Sequence, residues 1–237
     1  MSNMLIPVNE IMQGGELAQF METSEEDFAS LALAAGGFSY VQLMQSQTKL
    51  AQENPDQFRA GDFVLTVNRE NINLGKEFLF IPITSRFKAV DTRTKPPKTY
   101  YDPKDPAFQE VKARSDLAGL NDAMAGNDFL IYLTDYDEFA SLFCANKSFR
   151  TQAGIIRGRA GKHTKMKSGL VDNGKNRWQA PTVMDAAEEP RHYPPGHAEG
   201  NYAKIQEMIK RFHNPATAEE LAGGKKVEES ASDSVAR

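Results

Sequence analysis

Short runs of β-forming residues, with apolar and polar side chains in alternation, recur through the middle of the chain and predict strands. The clearest runs lie at 40–44, 63–67, 77–83 and 129–133. Because Pro82 has no backbone N–H, we expect an edge or a bulge in its strand there. Weaker runs lie at 85–90, 154–156, 169–171 and 178–183. In the 85–90 run, alternation places Arg86 and Lys88 on one face, with Phe87 and Ala89 on the other.

Turn residues separate these runs. Gly61-Asp62 precedes the second clear run, residues 71–75 read as a turn before the third, and Asp172-Asn173-Gly174 indicates a hairpin. Residues 92–106 contain four prolines and predict a long connection between strands.

Apolar residues spaced three and four apart predict three helices. The first, 24–35, ends at Gly36-Gly37, and the last, 200–213, ends at Asn214-Pro215. Between them, Thr134 reads as the N-cap of a helix over 135–145 with acidic residues in its first turn. Residues 107–128 suggest no more than a helical turn, because Gly119 and Gly126 interrupt the pattern.

Many short strands, one internal helix and long turns predict a mainly β (α+β) protein. Few helices stand where crossovers would be, so we expect an OB-like antiparallel barrel with long loops, one internal helix and short flanking helices. The predicted organisation is an N-terminal extension over 1–37, a core over 38–185, and a C-terminal region over 186–237. That last region comprises a linker, the amphipathic helix and a polar tail expected to be disordered.

Composition narrows the class of protein. The chain has 237 residues, 40% of them hydrophobic, which suffices for a sizeable core. We expect no membrane partner, since no apolar run is long enough to span a bilayer, and the N-terminus does not resemble a secretory signal. Cys144 is the only cysteine and fits a reducing compartment, so the expected location is cytoplasmic.

Positive charge is concentrated in one stretch, residues 147–178, which we call the basic segment. It holds nine Lys or Arg and one acidic residue, whereas the whole chain has a formal charge of −4. Such a block suits an external polyanion, because cations bind phosphates while aromatic rings stack on bases. The plainer interpretation is a solvated loop of ordinary surface lysines.

The basic segment and its expected neighbour over 86–101 supply the candidate nucleic-acid-binding residues. The candidate phosphate-binding cations are Arg86, Lys88, Lys147, Arg150, Arg157, Arg159, Lys162, Lys165, Lys167 and Arg177. The candidate stacking rings are Tyr100, Tyr101, Phe149 and Trp178, with core packing as the alternative for each.

Catalytic and metal motifs are weak. Residues 161–164 depart from a phosphate-binding loop at two positions, and Cys144 beside Phe143 reads as a buried small hydrophobe. Asp135, Asp137 and Glu138 could group around a metal, but helix capping explains them without one and is the favoured interpretation. His192 and His197 form a second, mobile-looking metal candidate without cysteine partners. We expect no catalytic residues, metal or cofactor.

Three short patterns resemble bacteriophage single-stranded DNA-binding proteins. They are the 40–44 strand followed by Gly61-Asp62-Phe63, then Leu74-Gly75-Lys76 leading into the next strand with Arg86-Phe87, and Asn176-Arg177-Trp178 before Pro181. The resemblance covers about 38–185 and implies an OB-fold core, no catalysis, and a role in phage DNA replication or recombination. It also implies single-stranded DNA and phage replication proteins as partners. The C-terminus, Ser-Asp-Ser-Val-Ala-Arg, departs from the acidic tail with a terminal hydrophobe that many such proteins carry.

Alternatives stay open at this point. The same cations and rings suit RNA as well as DNA, and self-association into a homo-oligomer is compatible with the pattern. A virion structural or assembly protein would use the loops and the 200–213 helix in subunit contacts instead. A metal-dependent nuclease is the third hypothesis.

Overall fold

Nine strands form one sheet in the computed structural model, which describes residues 38–117, 122–145, 147–198, 200 and 202–214. The spatial order is β3-β2-β1-β7-β6-β4-β8-β9, and β5 pairs with β4. The strands are β1 Ser39–Leu43, β2 Phe63–Val67, β3 Glu70–Gly75, β4 Glu77–Asp91, β5 Lys98–Tyr100, β6 Ala123–Leu133, β7 Glu138–Cys144, β8 Thr164–Asp172 and β9 Arg177–Asp185.

The sheet is strongly curled into a half-barrel, and the expected mainly β, OB-like fold class is confirmed. Neighbouring strands run antiparallel except β1 and β7, which are parallel. Residues from β1 and β2 at one end of the sheet to β8 and β9 at the other join one apolar core. A flat sheet could not bring its two ends to one core, so the curl follows from where the apolar side chains lie.

Four helices accompany the sheet within the described residues: α1 Lys49–Glu53, α2 Pro106–Ser115, α3 Lys147–Gly158 and α4 Ala203–His213. We call the side of the sheet that carries Phe80, Phe129 and Leu142 the inner face. The outer face carries Arg86, Asp128 and Tyr132, as the pairing register of β4 with β6 requires. Helices α2 and α3 pack on the inner face, whereas α1 and α4 pack on the outer face.

Edge strand β9 is capped by side chains. The carboxamide of Gln45 accepts from the backbone N–H of Gln179 at 2.8 Å and donates to its carbonyl at 3.0 Å. Gln152 of α3 accepts from the backbone N–H of Val183 at 3.0 Å. Pro181 lies midway between them, faces the same way by the two-residue repeat of a strand, and has no N–H.

Most strand predictions are confirmed. The clear runs correspond to β1, β2, β4 and β6, and the weaker runs at 169–171 and 178–183 lie inside β8 and β9. The 77–83 and 85–90 runs form the single long strand β4, whose register shifts between Pro82 and Thr84, as the proline predicted. The hairpin at 172–174 and the amphipathic C-terminal helix are also present.

The internal helix predicted over 135–145 is wrong, because that segment is a turn followed by strand β7. Phe139, Leu142 and Phe143 satisfied a helical spacing, yet residues 138–144 also alternate between the two faces of the sheet. Pairing with β6 along the whole of β7 decides in favour of the strand. The acids therefore do not cap a helix: Tyr132 Oη donates to Asp137 Oδ1 at 2.5 Å, and Glu138 accepts from Ser39 Oγ at 2.8 Å.

Two further predictions are wrong. Residues 154–156 belong to α3, whose buried stripe of Phe149, Ala153 and Ile156 has a helical spacing. Residues 71–75 belong to β3, and the turn lies earlier, at Asn68 and Arg69, whose φ angles are 48° and 72°. Two consecutive residues with positive φ make the tight hairpin turn that suits the twist of paired strands.

The segment 107–128 is also more regular than expected. It contains α2 and the first half of β6 on either side of the undescribed residues 118–121. The predictions for 1–37 and for the tail after 214 fall outside the described residues. Within the described part of the chain, the helices are all too short or too polar to cross a bilayer.

Candidate nucleic-acid interface

A strip of the inner face stays uncovered between α2 and α3. Its floor is formed by β4 and β6, where Phe87 pairs in register with Asn127. The Phe87 side chain lines a pocket in this strip and is 50% exposed, whereas Ala89 and Phe129 on the same face are buried. We call this strip, bounded by α2, α3 and the β4–β6 floor, the inner groove.

Two pockets lie along the inner groove. Residues of α2 line the first, whereas the second lies between β4, β6 and the C-terminal end of α3. The first has a volume of about 250 Å³ and is lined by residues that include Phe87, Phe108, Gln109, Lys112, Asn127 and Arg150. The second has a volume of about 230 Å³ and is lined by residues that include Pro82, Ser85, Phe129, Ile156, Arg157 and Ala160. Ser85 and Phe87 lie two positions apart on β4, so the two pockets are neighbours along the same strand.

Helix α2 forms one wall of the inner groove, and contacts at both of its ends fix its position. Asp105 caps its N-terminus by accepting from the backbone N–H of Ala107 at 2.8 Å, and Pro106 occupies the first turn. Near the other end, Arg114 lies 3.2 Å from Asp91 of β4 and 2.6 Å from Asp122. Hydrogen bonds from Arg93, with Arg114 adding to them, hold the pKa of Asp91 well below its ordinary value.

Helix α3 forms the other wall. Burial of Phe149, Ala153 and Ile156 fixes its rotation and leaves Arg150 and Arg157 beside the floor. Arg157 reaches across and donates to Asn127 Oδ1 at 2.5 Å. Arg150 of α3 pairs with Asp116, which follows α2, and so links the two walls. Arg150 also donates to the carbonyl of Ala145 at 2.6 Å.

The charge of the inner groove is positive. Lys112, Arg150 and Arg157 line it, and Asp116 is the carboxylate that pairs with one of them. Arg157 and Lys112 are exposed, so their charges are available to a bound anion. Such a groove can bind a chain of phosphates while the exposed ring of Phe87 stacks on a base.

Arg86 and Lys88 do not belong to this surface. Alternation along β4 is as predicted, but both side chains lie on the outer face and are almost fully buried, with 8% and 2% of each residue exposed. Asp128 pairs with Arg86 at 3.0 Å, lies 4.0 Å from the Lys88 amine, and accepts from Ser141 Oγ at 2.5 Å. Burial lowers the pKa of Lys88, with Asp128 opposing the shift. The prediction that Arg86 and Lys88 bind phosphate at the surface is corrected by this burial.

The Arg86 guanidinium lies between two rings. Its central carbon is 3.8 Å from the Tyr101 ring centre and 4.0 Å from that of Phe212, and it donates to the Phe212 carbonyl. Arg86 thus anchors the end of α4 to the sheet. Tyr101 is committed to this contact, and its burial raises the pKa of its hydroxyl to about 12.

The other predicted rings are less available than Phe87. Phe149 is a core residue at 5% exposure, which corrects its assignment as a stacking ring. Tyr100 packs against the cluster under α2. Trp178 is half-buried at the start of β9 and donates from Nε1 to Ser148 Oγ at 3.1 Å.

The remaining cations of the basic segment are dispersed. Strand β8 pairs with residues 77–80 of β4, at the end of β4 that lies away from Arg86 and Lys88. The basic segment is therefore not adjacent to these two residues, contrary to the prediction. Three cations pair with carboxylates: Arg159 with Asp185, Lys165 with Glu77 and Glu188, and Arg177 with Asp172. Four lysines are exposed outside the groove, at Lys147, Lys162, Lys167 and Lys175.

The other chemical candidates do not form a site in the described part of the chain. Groups of three or more histidine, cysteine or acidic side chains that could hold a metal are absent there. His163 lies 3.2 Å from Thr134 Oγ1 and 2.8 Å from the Glu188 carbonyl. Cys144 is buried, and burial raises the pKa of its thiol well above the ordinary value, so an unreactive thiol is expected.

Sequence reasoning missed Phe87, Lys112 and Asn127. Phe87 was assigned to the apolar face of its strand, which is correct, but nothing in the local pattern shows that two helices leave this position uncovered. Lys112 was hidden because α2 was not predicted.

Comparison of the chain with family models, with curated proteins and with solved structures finds no match to any of the three.

Proposed function

We propose that this protein binds single-stranded nucleic acid, without strong sequence preference, through the inner groove. The observation that carries the proposal is the half-exposed ring of Phe87 on the floor of a groove lined by three cations. An aromatic side chain that is half exposed beside buried residues of the same face is available to stack on a flat ligand. The adjacent cations favour a ligand that also carries negative charge.

Single-stranded DNA is the form we propose. Every base has a face on which Phe87 can stack, whereas the paired and stacked bases of a duplex do not offer that face. The short patterns that resemble phage single-stranded DNA-binding proteins support the same form, and a role in replication or recombination would follow from it. The proposal assigns the basic segment a narrower role, since Arg150 and Arg157 are its members that line the groove.

The test is a fluorescence-anisotropy titration of the full chain with a labelled oligothymidine of about 30 bases. Three phosphate contacts predict roughly a 20-fold weaker affinity at 200 mM than at 50 mM salt. Phe87→Ala should weaken binding about tenfold or more, because stacking stabilises a bound base by about 1–3 kcal/mol. The matched control is Tyr136→Ala, since Tyr136 is 42% exposed but lies in the turn at the other end of β6.

Absence of binding, or equal effects of the two substitutions, contradicts the proposal. Preferential binding of a duplex of the same sequence would contradict the assignment to single strands. An RNA oligonucleotide of equal length in the same titration decides between the two sugars.

A further inference from the structure

Along the inner groove, a pocket with an arginine beside it occurs twice. Arg150 lines the first pocket and Arg157 lines the second, and both arginines lie on α3. Seven residues separate them, which corresponds to about 10 Å along the helix axis. On the floor, Phe87 and Ser85 are two residues apart, about 7 Å along β4. A site that repeats a cavity and a cation at this spacing suits a polymer more than a single compact ligand.

The size of each pocket fits one ring system. Volumes of about 250 and 230 Å³ fall below the roughly 300–1,000 Å³ that enclose a typical small-molecule ligand. A whole nucleotide cofactor would therefore overfill either pocket, whereas a single base or sugar would not. Because the pockets are neighbours, two linked units can occupy them together.

The two pockets differ in what they can hold. The first contains the exposed ring of Phe87 and the side chain of Asn127. The second is lined by Ile156 and Phe129, which are buried at 0% and 1% exposure, and so offers no exposed ring to a base. Stacking is consequently confined to the first pocket.

Arg157 marks the boundary between the pockets. Its side chain lines the second pocket, while its hydrogen bond reaches Asn127, which lines the first. A phosphate that joins a unit in one pocket to a unit in the other would pass this guanidinium.

We propose that the inner groove holds two consecutive nucleotides, with the base of one stacked on Phe87 in the first pocket, the sugar or base of the next in the second pocket, and the phosphate between them on Arg157. This assignment rests on the proposed single-strand binding and adds to it the position of each nucleotide in the groove. It makes the bound strand asymmetric, since one base contributes stacking and its neighbour contributes little.

The experiment uses a labelled strand of about 12 abasic sites, into which one, two, three or four adjacent thymines are placed at the centre. The first thymine should raise the affinity about tenfold. The second should add at most a few-fold, and the third and fourth no more than the small statistical gain from the extra registers that they allow. In Phe87→Ala, the gain from the first thymine should disappear while the affinity for the fully abasic strand stays unchanged.

Arg157→Gln should lower the affinity for all five strands by a common factor. Arg159→Gln is the matched control, because Arg159 is two residues away, pairs with Asp185 and does not line the groove. A several-fold gain from the third or the fourth thymine, or a first-thymine gain that survives Phe87→Ala, would overturn the two-nucleotide register. Failure to bind unmodified oligothymidine at all would instead overturn the proposed function, so the two failures are distinguishable.

Discussion

At the scale of single residues, the outer face of β4 carries a buried ionic cluster centred on Asp128. Arg86 and Lys88 share Asp128, whose second oxygen accepts from Ser141. Transferring an ion from water into the protein interior costs free energy, and the Asp128 carboxylate offsets that cost for two cations at once. The cluster therefore depends on Asp128 more than on either partner.

Asp128→Ala should lower the free energy of unfolding by about 3–5 kcal/mol, because it leaves two buried cations without a carboxylate. Glu53→Ala is the control, since Glu53 forms an exposed pair with Lys49 at 3.6 Å. Its removal should cost less than about 1 kcal/mol. Urea denaturation of both variants measures the difference, and equal losses would show that the cluster is not the stabilising element.

Two glycines should respond in opposite directions to a single added methyl group. A Cβ at Gly126 would overlap the carbonyl of Cys144 on the neighbouring strand, so backbone would have to move. A Cβ at Gly154 meets nothing within 4 Å, and this residue lies inside α3. Gly126→Ala should destabilise the protein by more than about 2 kcal/mol. Gly154→Ala should stabilise it by about 0.5–1 kcal/mol, because alanine favours the helix. Thermal unfolding compares the two, and a stable Gly126→Ala would contradict the close strand contact.

At the scale of elements, α2 is held to the sheet by charge as well as by Phe108 and Val111. Asp91 accepts from Arg93 and from Arg114, and the latter ties the end of α2 to β4. Since α2 forms one wall of the inner groove, the ionic contact that fixes it also shapes the site.

Asp91→Asn should lower the free energy of unfolding at pH 7 by about 1.5–3 kcal/mol, the usual worth of a charged hydrogen bond. Because the folded-state pKa of Asp91 is depressed, its contribution is present above the unfolded value near 4 and is lost as the pH falls below it. The difference from the wild-type protein should therefore narrow at pH 3. Urea titrations at the two pH values measure it, and a constant difference would contradict the ionic origin.

The sequence predicts elements well where one period dominates. Alternation in β4, and the proline that breaks its register, are readable from residues 77–91 alone. In β7, Phe139, Leu142 and Phe143 satisfy both periods, and only pairing with β6 decides between them. In α3, Gly154 and Gly158 lower the helix propensity of the sequence. The segment is nevertheless helical, because a helix buries Phe149 and Ile156 on one side.

The candidate site is less predictable because it depends on distant parts of the chain. Charge indicated Arg150 and Arg157 as candidates, and their placement beside the groove follows from α3. Whether Arg86 is exposed depends on the carbonyl and ring of Phe212, 126 residues away. Whether Phe87 is exposed depends on where α2 and α3 leave the sheet uncovered, and no local pattern records that.

At the scale of the whole molecule, the two end strands of the main strand order, β3 and β9, have unequal edges. At the β9 edge, two backbone N–H groups donate to glutamine side chains and the proline between them has none. At the other edge, β3 pairs only with β2 among the described strands. An unpaired edge can recruit a strand from another chain, whereas a capped edge cannot.

A double substitution of Gln45→Ala and Gln152→Ala should expose the β9 edge. We expect species larger than dimers to form, as measured by light scattering after size exclusion, because two backbone N–H groups lose their acceptors. The comparison is Gln109→Ala, since Gln109 is an exposed glutamine on α2, far from that edge. No change in size in the double variant would show that the glutamine caps do not limit association.

The two glutamines thus make β9 a poor place to extend the sheet. If two copies joined their β3 edges about a two-fold axis, the capped β9 edges would lie at the two ends of the pair and would be poor templates for a third copy. The short strand β5 pairs with β4 alone among the described strands, so it forms a separate edge that these glutamines do not protect. Gln45 and Gln152 would then limit how far a sheet can grow from one copy to the next through its β9 end.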